Sequence, residues 1–171
     1  VHIGQRTVAL LIAAVAVLGL TGCSPEPDPY FALRMTDGKP TLLIAECALT
    51  RIDYISIWER GGTGASGTAS PEWQVDSPLR PIPSTTIKTS AVDAPAQVTL
   101  LEVPPGWFTQ KDTLRELRDG TEYYLSGGLA NVGSLSFTLA QLNALAPGDV
   151  LTSFRKKQVV TEQTWRDKAC S

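Results

Sequence analysis

Between residues 71 and 95 the chain carries five prolines, Pro71, Pro78, Pro81, Pro83 and Pro95. Each proline fixes φ and removes a backbone donor, so a long helix and a central strand are both excluded there. Edge strands and loops are what remain. Elsewhere, short β-prone runs stand between turn signals, at residues 30–35, 41–49, 51–58, 97–103, 122–129, 134–138 and 150–154. Shorter β-prone pieces sit around Trp73 and around residues 85–89. Asp37-Gly38 is a two-residue hairpin signal, and run 51–58 carries apolar residues on both faces, as a central strand does. Two short helical turns are expected. One is capped by Thr109 and Asp112 over Leu114 and Leu117 and ends at Gly120; the other lies on Leu139, Leu142 and Leu145. The expected fold is mainly β: a sandwich with one or two short helices, forming a single domain over residues 30–171.

The N-terminus reads differently. Arg6 precedes an unbroken apolar run from Val8 to Leu20, 13 residues that would span about 20 Å as a helix. A bilayer core is roughly 30 Å thick, so a basic residue before so short a run describes an export signal rather than a permanent span. Leu20-Thr21-Gly22-Cys23 follows. Residues 6–23 thus resemble the signal peptides of bacterial lipoproteins, whose lipobox ends in a Leu, two small residues and a Cys. The resemblance implies a signal peptide over residues 1–22 and a lipid anchor on Cys23, which becomes the mature N-terminus. It further implies localisation on the extracytoplasmic face of a cell membrane. Val1 in place of Met fits a non-ATG start. Residues 23–29 alternate Pro with polar residues from Ser24 onward, forming a stiff, extended tether.

Cleavage would also remove His2, the only histidine. Without imidazole, Ser-His-Asp and Cys-His catalysis are excluded, as are histidine-ligated metal sites. No cofactor and no metal site is expected. A net charge of −2 argues against a nucleic-acid partner. With Cys23 acylated, Cys47 and Cys170 remain, and two thiols in an exported chain favour a disulfide. Free thiols or a redox pair are the alternative, without a Cys-X-X-Cys spacing behind them. The bridge would hold the C-terminal tail against a strand carrying Cys47.

One local pattern narrows the sandwich. Leu117, Gly120, Thr121 and Tyr123 resemble the corner before a late strand of fibronectin type III domains, with Asp119 where that family usually has Pro. The resemblance implies an immunoglobulin-like sandwich, a tyrosine corner at Tyr123, and an insertion over residues 104–116. An ordinary Asp-Gly turn before an aromatic strand is the other reading.

Several motifs match chemistry without its context. Gly62, Gly64 and Gly67 satisfy G-x-G-x-x-G, but Thr68-Ala69-Ser70-Pro71 follows instead of a helix. Ser153 and Lys156 satisfy S-x-x-K without its partner motifs. The Arg155-Lys156-Lys157 run reads as a solvated face. Among the seventeen acids, Glu59 and Glu72, each beside a Trp, are the pair nominated for carboxylate hydrolysis. Trp107-Phe108, behind Pro104-Pro105-Gly106, offers either a binding platform at a loop tip or a lid over one end of the sandwich. No catalytic residue is assigned, and an enzyme is not expected. The expected role is a non-catalytic protein-interaction or structural accessory module, held to the membrane by Cys23. Trp107-Phe108 and the loop over residues 61–70 would contact an envelope protein. The alternative is a cell-wall glycan binder stacking sugars on Trp73 or Trp107.

Overall fold

A computed structural model describes residues 30–60, 70–78, 94–128, 134–153 and 156–170. The chain opens on a hairpin. β1 (Phe31–Thr36) turns through Asp37 and Gly38 into β2 (Lys39–Ile44), with Thr36 paired to Lys39. Both turn residues have positive φ, 51° and 76°, the paired left-handed geometry that a two-residue hairpin demands. A 3-10 helix (Glu46–Arg51) then leads to β3 (Tyr54–Glu59) and β4 (Trp73–Asp76). Next come β5 (Gln97–Thr99), β6 (Phe108–Asp112), β7 (Tyr123–Gly127) and β8 (Leu135–Phe137). Helix α1 (Leu139–Asn143), β9 (Asp149–Ser153), β10 (Lys157–Thr161) and helix α2 (Glu162–Ala169) complete it.

The strands form two antiparallel five-stranded sheets, in the orders β10-β9-β1-β2-β5 and β6-β4-β3-β7-β8. The first, second and fifth strands share one sheet, and the third, seventh and eighth share the other. This is the immunoglobulin-like partition, with β4 extending the second sheet beyond β3. β6 adds a further edge strand beyond β4, and β9 and β10 extend the first sheet beyond β1.

Alternation along each strand sets the core. Phe31, Leu33, Leu42, Ile44, Val98 and Leu151 from the first sheet meet Ile55, Ile57, Trp73, Val75, Leu125, Leu135 and Phe137 from the second, and all are buried. Gly127 is required at this contact. A Cβ there would lie 2.6 Å from the Tyr54 carbonyl oxygen and 2.9 Å from Phe31 Cζ. The opposite face of the first sheet is buried too, since Ala32, Leu43, Val150 and Thr152 point away from the core yet are solvent-free. α2 packs against β9 and β10 and turns Trp165 and Ala169 inward. At its first turn Glu162 pairs with Arg34 of β1, and at its end Cys170 bonds Cys47. The helix is therefore fastened across this face at both ends.

Some expectations need correcting. Thr109 and Asp112 do not cap a helix; they lie in β6, because β4 offers an open edge whose backbone groups need partners. The runs at 41–49 and 51–58 are not continuous strands. They stop at Ile44 and start at Tyr54, with the 3-10 helix between, so Cys47 sits on that helix and not on a strand. The run at 97–103 is strand only to Thr99, and Leu101 takes φ 66°. The second expected turn is present as α1. Thr138 Oγ1 accepts from Gln141 N, and the Gln141 side chain accepts from Thr138 N. The expected signal peptide, Cys23 and the expected tether, together with residues 61–69 and 85–89, lie outside the described residues.

Candidate functional site

Three separate segments line an open cavity of about 400 Å³, walled by Glu59, Glu72, Thr113, Leu114, Arg115, Glu116 and Arg118. Glu59 ends β3, Glu72 immediately precedes β4, and the rest follow β6. The backbone fastens two of these segments together: Thr113 N and Leu114 N donate to the Glu72 carbonyl at 2.8 and 3.0 Å, and Thr113 Oγ1 does so at 2.8 Å. Buried Leu114 supplies an apolar patch in the lining. The carboxylates nominated from sequence thus line one cavity, although neither is positioned by the Trp beside it.

Their surroundings differ. Glu59 is paired with the Arg118 guanidinium, which raises the Arg118 pKa chiefly through that hydrogen bond. Glu72 has its pKa raised by burial first and by the Glu59 charge second, with Arg118 opposing. Arg115 is turned toward Asp112 at 2.5 Å. The same loop is held by Tyr123, whose buried hydroxyl accepts from Arg118 N at 2.7 Å. That bond to the upstream backbone is the tyrosine corner expected at this position.

The aromatic candidates divide. Trp73 is 1% exposed because it shares a face with Val75 and pairs with Ile57 in the core. Trp107 is 7% exposed. Both rings are turned away from solvent, whereas a stacking platform on Trp73 or Trp107 needs an exposed ring face. Phe108 is 43% exposed, but on a strand rather than at a loop tip. Cys47 and Cys170 are joined, with Cα atoms 5.7 Å apart.

Sequence reading missed the face to which Phe108 belongs. On the side of the second sheet away from the core, strand pairing places three rows. Phe108, Asp76 and Tyr54 stand side by side; then Lys111, Gln74, Ser56 and Ser126; then Trp58, Tyr124 and Ser136. Tyr124 is 44% exposed, and its hydroxyl is 2.9 Å from Ser134 Oγ. Gln74 donates to Asp76 at 2.7 Å. Beyond the third row Arg60 pairs with Glu122 at 2.8 Å, and Lys157 approaches the same carboxylate at 4.0 Å. The available signal was the alternation of Tyr54, Ser56 and Trp58 against Ile55 and Ile57, together with the adjacent tyrosines Tyr123 and Tyr124, which must face opposite ways on one strand.

Among the described residues no three His, Cys, Asp or Glu side chains converge to hold a metal ion, and no helix is long and apolar enough to cross a membrane. No family profile, no curated protein and no solved structure matches the chain.

Proposed function

We propose that this chain is a lipid-anchored lipoprotein of the cell envelope whose extracytoplasmic domain binds a partner rather than catalysing a reaction. The anchor rests on Leu20-Thr21-Gly22-Cys23 behind a short apolar run, and the disulfide suits an oxidising compartment. The observation that carries the binding reading is the pair of large exposed rings, Phe108 and Tyr124, on one sheet face. Large apolar rings left exposed on one surface mark contact sites; Phe108 and Tyr124 stand at opposite corners of this face, with Tyr54 and Trp58 of β3 between them. The contact surface is therefore that face, and not the Trp107 loop.

The reading is tested in cells that make the full chain. Labelled palmitate is expected to enter the protein and to be absent from a Cys23→Ala variant. Association with washed envelope fragments should weaken in a Phe108→Ser, Tyr124→Ser double variant whose thermal unfolding is unchanged. Equal association of the variant and the parent chain overturns the assignment of this face.

Carboxylate hydrolysis is a second reading, favoured by one observation: Glu59 and Glu72 share a cavity and differ in charge environment. Two carboxylates flanking one site, one of them raised in pKa as a proton donor, are what acid–base hydrolysis uses. Against it, Glu59 is engaged by Arg118, and among the described residues no aromatic side chain lines the cavity. Turnover of aryl glycosides that disappears in Glu72→Gln would establish hydrolysis; no turnover at pH 4 to 7 removes it.

A further inference from the structure

The exposed sheet face has a composition that narrows its partner. Two aromatic rows, Phe108 with Tyr54 and Trp58 with Tyr124, flank a row of amide, hydroxyl and ammonium groups from Gln74, Ser126 and Lys111. Phe108 and Tyr124 are separated by three strand spacings and four residues of strand, about 14 Å by 13 Å and so about 20 Å from corner to corner. A protein-binding surface of this size is expected to present a contiguous apolar centre. Here instead ring faces are interleaved with hydrogen-bonding groups, which suits the CH faces and hydroxyls of a sugar chain. The Tyr124 ring is held by its bond to Ser134, so less freedom is lost when something stacks on it.

Charge gives the second constraint. Lys111 is exposed and has no ion-pair partner among the described residues. At the other end Arg60 and Lys157 share the single Glu122 carboxylate, leaving an excess of positive charge there as well. Within the rows the one acid, Asp76, is buried beneath its bond from Gln74. The whole chain has net charge −2, so a positive balance on this face is local. From ring spacing, hydrogen-bonding chemistry and charge complementarity we infer that the outer face of the second sheet is a binding platform for an acidic saccharide. Phe108 and Tyr124 stack on sugar rings, and Lys111 meets a sugar carboxylate. This inference rests on the binding reading above and names the partner's chemistry.

The test titrates the full chain in uncharged detergent micelles by calorimetry. The two probes are a tetrasaccharide alternating glucuronate with N-acetylglucosamine, and neutral tetra-N-acetylchitotetraose. The acidic probe is expected to bind more tightly than the neutral one, with a preference that fades in 0.5 M salt and is absent in Lys111→Gln. Tyr124→Ala should weaken both by about tenfold. No heat from either probe at 10 mM, or unchanged affinity in both Phe108→Ala and Tyr124→Ala, overturns the saccharide assignment. Envelope fragments separate this failure from failure of the binding reading. Association lost after protease treatment of the envelope, yet still dependent on Phe108 and Tyr124, means a protein partner on the same face. Association indifferent to both rings removes the face altogether.

Discussion

Replacing Tyr123 by Phe removes one oxygen and keeps the ring. The ring is fully buried, with its centroid 5.6 Å from that of Phe137, so its packing should persist. What disappears is the acceptor for Arg118 N, a 2.7 Å bond closing the loop before β7. Gly120, at φ 76°, and the Thr121 N to Arg118 carbonyl contact at 3.3 Å shape the same loop, but neither receives the freed N–H. A net hydrogen bond contributes about 1 kcal/mol, and an amide left unpaired adds to the loss, so the expected cost is about 1 to 2 kcal/mol. Tyr124→Phe is the internal control: its hydroxyl meets Ser134 at the surface, where water replaces the partner, and the expected change is within about 0.5 kcal/mol. Urea unfolding followed by tryptophan fluorescence reads both. At an m of about 2 kcal/mol/M, the first variant should lose roughly 0.5 to 1 M in midpoint and the second almost nothing. Equal midpoints for the two variants would refute the claim that the Tyr123 hydroxyl holds this corner.

Three further outcomes are expected. Removing the disulfide with Cys47→Ser and Cys170→Ser frees a loop of sequence separation 123, which in the chain-entropy model costs about 5 kcal/mol; urea unfolding measures it, and a loss below about 1 kcal/mol would mean that the reduced unfolded chain stays compact. Gly127→Ala drives a methyl into the Tyr54 carbonyl and the Phe31 ring, so it should cost about 2 to 3 kcal/mol and lower Tm by several degrees, read by calorimetry. Glu72→Gln should raise Tm at pH 7 and leave it unchanged at pH 3. With the folded pKa above the ordinary 4.5, the native state keeps a proton that the unfolded chain has released, and wild-type stability falls as pH rises from 4.5 through the raised value. A larger gain at pH 3 than at pH 7 would reverse the assigned sign.

Local chemistry was legible in the sequence, and convergence was not. Asp37-Gly38, the helical turn on Leu139 and Leu142, and the corner at Tyr123 are each specified within a few residues, and each stands where expected. The Cys47–Cys170 bridge could be read because counting left few thiols to pair. β6 could not be read that way. Phe108-Thr109-Gln110-Lys111-Asp112 is exposed or half-buried throughout, and it is strand only because β4 has an edge to fill. Trp73 was misplaced for a related reason: Glu72 and Gln74 beside it suggest a solvated segment, whereas strand parity sends the indole inward with Val75. Glu59, Glu72 and Arg118 meet only because β3, β4 and the chain after β6 arrive at one end of the second sheet, and no spacing along the chain encodes that meeting.

The two outer faces of the sandwich have opposite fates, and the C-terminal helix decides which. Ala32, Leu43 and Val150 would leave an apolar surface on the first sheet if α2 were absent. Burying Trp165 and Ala169 there, with Glu162 on Arg34 at one end and Cys170 on Cys47 at the other, takes those apolar side chains out of solvent. The second sheet carries its aromatic rows on a face where Phe108 and Tyr124 remain open to solvent. The chain also enters the domain through β1, in the covered sheet. The first strand and the helical strap therefore both belong to one layer, and the rings belong to the other. Under the lipoprotein reading, anchoring and recognition then fall on separate sheets that share only the core. On the proposed reading, a substitution at Tyr124 is expected to alter binding while α2, its disulfide and membrane attachment stay as they are.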